Sequence, residues 1–189
     1  IQQLKSQQFF KPFQLHRDGR LRHMQETRCP RYATSVGDGN NSVTAGDGVN
    51  SVKTGSGDDT INLGSGNNNI SAGNGNNDID VTDGNNRITG GNGVDDIMAG
   101  DGNNTISAKD GDNVVVVGNG TNNITTGRGI DTVSVGSGNN KVKAGSGNDR
   151  VEVVVAGSGS NNFDGQAGDD ILIGVSRPDL LQPDQAIKK

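Results

Sequence analysis

Glycine returns at every ninth residue along most of this chain. It stands at 39, 48, 57, 66, 75, 84, 93, 102, 111, 120, 129, 138 and 147 without a break, and after three extra residues again at 159 and 168. Four residues beyond each of these fifteen glycines sits an apolar side chain: Val43, Val52, Ile61, Ile70, Ile79, Ile88, Ile97, Ile106, Val115, Ile124, Val133, Val142, Val151, Phe163 and Leu172. A disordered low-complexity segment does not keep such a register, so residues 36–173 fold. A period this short describes a solenoid with a thin linear core. Composition agrees. With 31 glycines, no tryptophan and 29% hydrophobic residues among 189, the chain lacks the large apolar side chains of a globular interior.

Each unit reads as a glycine-rich turn followed by three extended residues, the middle one inward and its neighbours outward. The phased glycine supplies a positive φ at no steric cost. Two units make one coil of eighteen residues, with two short parallel strands and two turns. At about 4.8 Å per coil, fifteen units form a rod roughly 36 Å long.

"QAGDDILIG" (166–174) resembles the terminal repeat of RTX (repeats-in-toxin) proteins, the hemolysin-type calcium-binding repeat family, whose nonapeptide is G-G-x-G-x-D-x-U-x. The resemblance covers about 138 residues. It implies an all-β fold, a right-handed parallel β-roll (β-solenoid), with calcium held between successive turns by the Asp carboxylate and backbone carbonyls. This chain departs from the family at that Asp. The slot two residues after each phased glycine holds ten asparagines and only five aspartates, Asp59, Asp95, Asp131, Asp149 and Asp170, which makes it an Asn-rich variant.

The five aspartates occupy units 3, 7, 11, 13 and 15, all odd. In a two-unit coil, odd and even turns lie on opposite edges of the roll. The even edge is therefore an unbroken asparagine column, Asn50, Asn68, Asn86, Asn104, Asn122, Asn140 and Asn161, whereas the odd edge is mixed and becomes all Asp at its C-terminal end. Stacked carboxylates repel and need a divalent ion; hard Ca²⁺ takes six to eight oxygens. Stacked amides need none, since each carries donor and acceptor and bonds to the coils above and below. Asn also tolerates left-handed backbone angles. Calcium is expected at Asp131, Asp149 and Asp170, with carbonyls of turns 127–131, 145–149 and 165–170 completing the shell. Asp59 and Asp95, with only Asn neighbours along the edge, are weaker candidates. Asp58, Asp112 and Asp169 sit one place earlier and are candidate helpers, although turn Asp is commonly a turn former.

Outside the repeat, residues 1–35 form a basic N-terminal cap or linker, and residues 175–189 a tail with two prolines. Residues 1–34 carry a charge of about +5 and the remainder about −10, within a total of −5. Phe9, Phe10 and Phe13 suit a solenoid cap, and the basic cluster over residues 5–31 offers contact with an anionic surface. The roll's outward Met98, Val114 and Val116 need a cover or a partner. The chain opens on Ile1 rather than Met, as a fragment or processed product does.

Catalysis finds little support. His16 and His23 are the only histidines, both outside the repeat, and Cys29 is the only cysteine. No Ser/His/Asp set, Cys/His metal cluster or phosphate loop is visible. No apolar run approaches membrane-spanning length, and nothing points to nucleic acid. The expected role is a non-enzymatic module of a secreted bacterial toxin, adhesin or effector, with a protein or cell-surface partner. A host-directed effector or interaction scaffold with a calcium-independent roll is the alternative. Ice binding suffers from scattered threonines, and a catalytic part elsewhere in a longer protein is the last reading.

Overall fold

The computed structural model describes residues 31–154, 159–174 and 180–182. Strands alternate between two parallel sheets. They are β1 (Arg31–Ser35), β2 (Ser42–Ala45), β3 (Val49–Lys53), β4 (Thr60–Leu63), β5 (Asn69–Ser71) and β6 (Asp78–Val81). Next come β7 (Arg87–Thr89), β8 (Asp96–Ala99), β9 (Thr105–Lys109), β10 (Val114–Val117), β11 (Asn123–Thr126) and β12 (Thr132–Val135). The last are β13 (Lys141–Ser146), β14 (Arg150–Val153), β15 (Asn162–Ala167), β16 (Ile171–Ile173) and β17 (Leu180–Gln182). Odd-numbered strands form one nine-stranded sheet and even-numbered strands an eight-stranded one, each in strict sequential order. Pairing is parallel with a register of eighteen residues, as in Ile61↔Ile79 and Ile88↔Ile106, and of twenty-one where the three-residue insertion intervenes, as in Val142↔Phe163 and Val151↔Leu172. The coil is thus built from two nonapeptides, and the fold is the all-β β-roll that the spacing requires.

The core is a double file of branched side chains. The phased apolar residues from Val43 to Phe163 are all buried, and Leu172 packs against them at the open end. Each fully buried isoleucine contributes about 1.5–3 kcal/mol. Most strands run longer than the three residues expected, and a second residue, two places beyond the first, also turns inward. On the even-numbered strands this second row holds Leu63, Val81, Val117 and Val135; on the facing sheet it holds small residues such as Ala72, Ala108 and Ala144. A narrow coil cannot close around two bulky rows, so one sheet gives way.

All fifteen phased glycines have positive φ, between 103° and 159°. The slot asparagines do not: among the described residues the non-glycine residues with positive φ are Lys109 and Gln166. Left-handed tolerance therefore plays no part in the choice of Asn. Both exceptions stand two places before a phased glycine, where other coils carry glycines such as Gly73 and Gly91.

The sheets also extend beyond the repeat signature. Arg31–Ser35, assigned from sequence to the N-terminal segment, pairs with β3, and Leu180–Gln182, assigned to the tail, pairs with β15. Ladder hydrogen bonds come from backbone groups, so pairing needs no glycine phase. The aromatic cap Phe9, Phe10 and Phe13, the two histidines and Cys29 lie outside the described residues.

Candidate metal site along one edge of the roll

The slot side chains of both edges are buried, except the half-buried Asp170 at the C-terminal end, and each column is stitched coil to coil. On the even edge the Nδ2 of Asn50 donates to Oδ1 of Asn68 at 2.8 Å, and the same bond recurs from Asn68 to Asn86, Asn86 to Asn104, Asn104 to Asn122, Asn122 to Asn140 and Asn140 to Asn161 at 2.9–3.0 Å. Each Oδ1 also accepts the backbone N–H of the asparagine one coil earlier, as in Asn68 N–H to Asn86 Oδ1 at 3.0 Å. Each Nδ2 turns back to its own loop as well. That of Asn68 reaches the Gly64 and Gly66 carbonyls at 3.1 and 3.2 Å. The amide nitrogen thus sits among three oxygens, two carbonyls of its own turn and the amide oxygen of the next coil. A protonated nitrogen there does by hydrogen bonding what a cation does by charge.

The odd edge keeps this pattern at its asparagines. Asn77 Nδ2 reaches Gly75 O at 3.0 Å and Asp95 Oδ1 at 2.9 Å, and Asn113 Nδ2 reaches Lys109 O at 3.0 Å and Gly111 O at 2.8 Å. At the aspartates half of it survives. Oδ1 still accepts the preceding N–H, Asp131 N–H to Asp149 Oδ1 at 2.8 Å and Asp149 N–H to Asp170 Oδ1 at 3.0 Å. Oδ2 replaces the donor nitrogen with an acceptor. Asp59, Asp95, Asp131, Asp149 and Asp170 each leave Oδ2 buried without a hydrogen-bond partner. Such an atom is costly unless a proton or a cation joins it. Burial pushes the carboxyls of Asp95 and Asp149 up to about 6, and for Asp149 the neighbouring Asp131 and Asp170 add repulsion. Burial raises Asp131 too, helped by the charge of Asp112.

The five sequence candidates are therefore distinguished by an unsatisfied oxygen. Asp131, Asp149 and Asp170 form one continuous column, whereas Asp59 lies between Asn41 and Asn77, and Asp95 between Asn77 and Asn113. The donor set fits a hard, oxygen-seeking cation such as calcium, since the bare carboxylate oxygens take the place where an asparagine nitrogen meets turn carbonyls. Among the described residues no three His, Cys, Asp or Glu side chains come together, so an ion here depends on those carbonyls.

The candidate helpers do something else. Asp58 and Asp112 face solvent, and each accepts a backbone N–H of the next coil, from Asn76 and from Ile130 at 2.8 Å. Asp169, also exposed, takes part through its own N–H, which donates to Asn148 Oδ1 at 3.1 Å. Asp38, Asp47, Asp83, Asp101 and Asp110 cap the following coil in the same way. These outer bonds point opposite to the inner ladder. The sequence reading missed them, although the Asp/Asn/Ser bias on either side of each phased glycine carries the signal.

Among the described residues the sheet faces position nothing comparable. Met98, Val114 and Val116 are exposed on adjoining strands beside Asp78, Asp80 and Asp96. Among the described residues no helix is long and apolar enough to cross a membrane.

Comparison with protein families matches the chain to the RTX calcium-binding nonapeptide repeat over residues 35–70, 71–106, 98–133, 125–153 and 150–176. Comparison with the curated proteins and with the solved structures finds no match. The matched segments span most of the chain and coincide with the coils described above. The chain belongs to the family of RTX calcium-binding nonapeptide-repeat proteins.

Proposed function

We propose that this chain is a non-enzymatic β-roll module of a secreted bacterial protein, a toxin, adhesin or effector, that takes up a few calcium ions along its odd edge and is held by asparagine ladders elsewhere. One observation carries the reading: every aspartate slot on that edge has a buried, unpartnered Oδ2, while the asparagine slots place a donor there. Asp131, Asp149 and Asp170 form the principal calcium column. Asp59 and Asp95, each flanked by amides, hold ions more weakly. Calcium would supply charge neutralisation and cross-linking of adjacent coils, no chemistry on a substrate.

The second reading, a host-directed effector or interaction scaffold that folds without calcium, draws on the same ladders. Seven asparagines in one uninterrupted column already satisfy one whole edge. Far-ultraviolet circular dichroism of chelated protein, followed by titration with millimolar Ca²⁺, separates the two. A gain of β signal with calcium supports the calcium-assisted secreted module. An identical spectrum and melting point in chelator and in calcium supports the scaffold.

A further inference from the structure

The second inward row carries a pattern that the slots alone do not show. Five residues before each of the ten asparagine slots stands alanine, valine or leucine, for example Leu63 before Asn68, Ala72 before Asn77 and Ala108 before Asn113. Before four of the five aspartates it does not. Thr54 precedes Asp59, Gly90 precedes Asp95, Thr126 precedes Asp131 and Gly165 precedes Asp170; Ala144 before Asp149 is the exception. Every threonine and glycine of this row thus falls beside a carboxylate. The pattern crosses the parity of the edges, because the odd-edge amides Asn77 and Asn113 have an aliphatic residue, alanine, where those of the even edge have alanine, valine or leucine.

The structure places the two positions against each other. A β-carbon at Gly90 would overlap Oδ2 of Asp95, and one at Gly165 would overlap Oδ2 of Asp170. The unpartnered oxygen therefore lies over a bare α-carbon. Thr54 and Thr126 are buried, and each hydroxyl donates to a carbonyl of the next coil, that of Ala72 and of Ala144 respectively. The Thr126 hydroxyl also lies within hydrogen-bonding reach of the Asp131 carboxyl, so its single proton goes either to that carboxyl or to the Ala144 carbonyl. A hydroxyl whose proton serves a carbonyl presents only lone pairs to its other neighbours. Beside an Oδ2 that also lacks a donor, it adds another oxygen to a site already crowded with acceptors. Beside an asparagine no extra oxygen or space is needed, and an aliphatic side chain packs the row.

We propose that the residue five positions before a slot decides whether that slot holds a divalent cation of its own: Thr54, Gly90, Thr126 and Gly165 belong to cation sites, the aliphatic residues beside the asparagines close theirs, and Asp149, beside Ala144, completes the sites of its column neighbours Asp131 and Asp170. Threonine acts as a further oxygen donor, and glycine leaves room for the carboxylate and a water of the ion's shell. This inference rests on the calcium reading above.

The test counts calcium ions bound to the full chain by native mass spectrometry and measures their affinity calorimetrically. The proteins are the wild type, Thr126→Val, Gly90→Ala, Asn113→Asp and the pair Asn113→Asp with Ala108→Thr. Thr126→Val keeps the volume of the side chain, and it is expected to lose one ion or to weaken its binding more than tenfold. Gly90→Ala is expected to do the same at Asp95. Asn113→Asp should gain an ion only together with Ala108→Thr, a gain that does not depend on the loss variants remaining folded. Equal stoichiometry and affinity in wild type and Thr126→Val, or a gain by Asn113→Asp alone, overturns this inference and leaves the calcium reading intact. No calcium on the wild type overturns the calcium reading, and this inference with it.

Discussion

Asn104 donates its Nδ2–H to Oδ1 of Asn122, one coil further on, at 3.0 Å, with both side chains buried. The corresponding pair on the opposite edge, Asp131 and Asp149, is joined by the backbone N–H of Asp131 alone, and each residue turns a bare Oδ2 into the interior. One atom, nitrogen or oxygen, separates a finished hydrogen-bond ladder from a place that demands positive charge. The behaviour of the roll toward acid, chelator and mutation follows from that difference.

Replacing Asn104 by Ala removes the acceptor of both the N–H and the Nδ2–H of Asn86 and the donor to Gly100 and Gly102. Orphaned buried groups cost about 1–3 kcal/mol each, so urea denaturation of Asn104→Ala in chelator should show a clear loss of stability. Asn104→Asp should cost more at pH 7, because it adds a charge facing carbonyls. Unlike the alanine variant, it should recover part of the loss as the pH falls to 5.

Acid should stabilise the chelated roll. Folding raises the carboxyls of Asp95 and Asp149 to about 6 from an ordinary 3.8, so the folded state holds more protons than the unfolded one between those values. The resulting stability is fully present below the unfolded value and is lost as pH rises through about 6. Thermal melting in chelator should therefore give a higher Tm at pH 5 than at pH 7.5. With calcium the order should reverse in one respect: protons compete for the same oxygens, so the Tm gained from calcium should shrink at pH 5.

Lys109 occupies a left-handed conformation, φ 78°, at a turn position where Gly73 and Gly91 serve other coils. Such a conformation costs a side chain of the order of 1–2 kcal/mol. Lys109→Gly should raise stability by about 1 kcal/mol, measured by chemical denaturation, while the Lys109 carbonyl that receives Asn113 Nδ2 stays in place.

Ile106 is buried between Ile88 and Ile124 in one file of the core. Truncation to Ala should cost about 2–5 kcal/mol through lost burial and a cavity. Because each coil contacts only its neighbours, the damage should be local. Hydrogen exchange should show faster opening around β7, β9 and β11, with the terminal coils less affected.

The glycine phase and its apolar companion make the coil length, the strand pairing and the two edges legible from the residues alone. Parity of the aspartates also puts Asp131, Asp149 and Asp170 on one edge, where they form a continuous column. Less legible is the second inward row. Leu63 and Val81 fall in the glycine-rich turn when only three extended residues are assigned to each unit, and the longer strands carry them inside. The role of Asp58 and Asp112 is ambiguous for a related reason: sequence gives a turn carboxylate its position along the chain, but whether it faces the interior or the next coil's N–H depends on side-chain direction. The strand Arg31–Ser35 carries no phased glycine, so nothing in its residues marks it as part of the sheet.

Locating the ions themselves tests the central claim most directly. Crystals of the full chain grown in millimolar calcium should give anomalous density along the edge of Asp131, Asp149 and Asp170, with weaker density at Asp59 and Asp95 and none between Asn50 and Asn161. Density at the asparagine turns of the even edge, or none on either edge, would contradict the account.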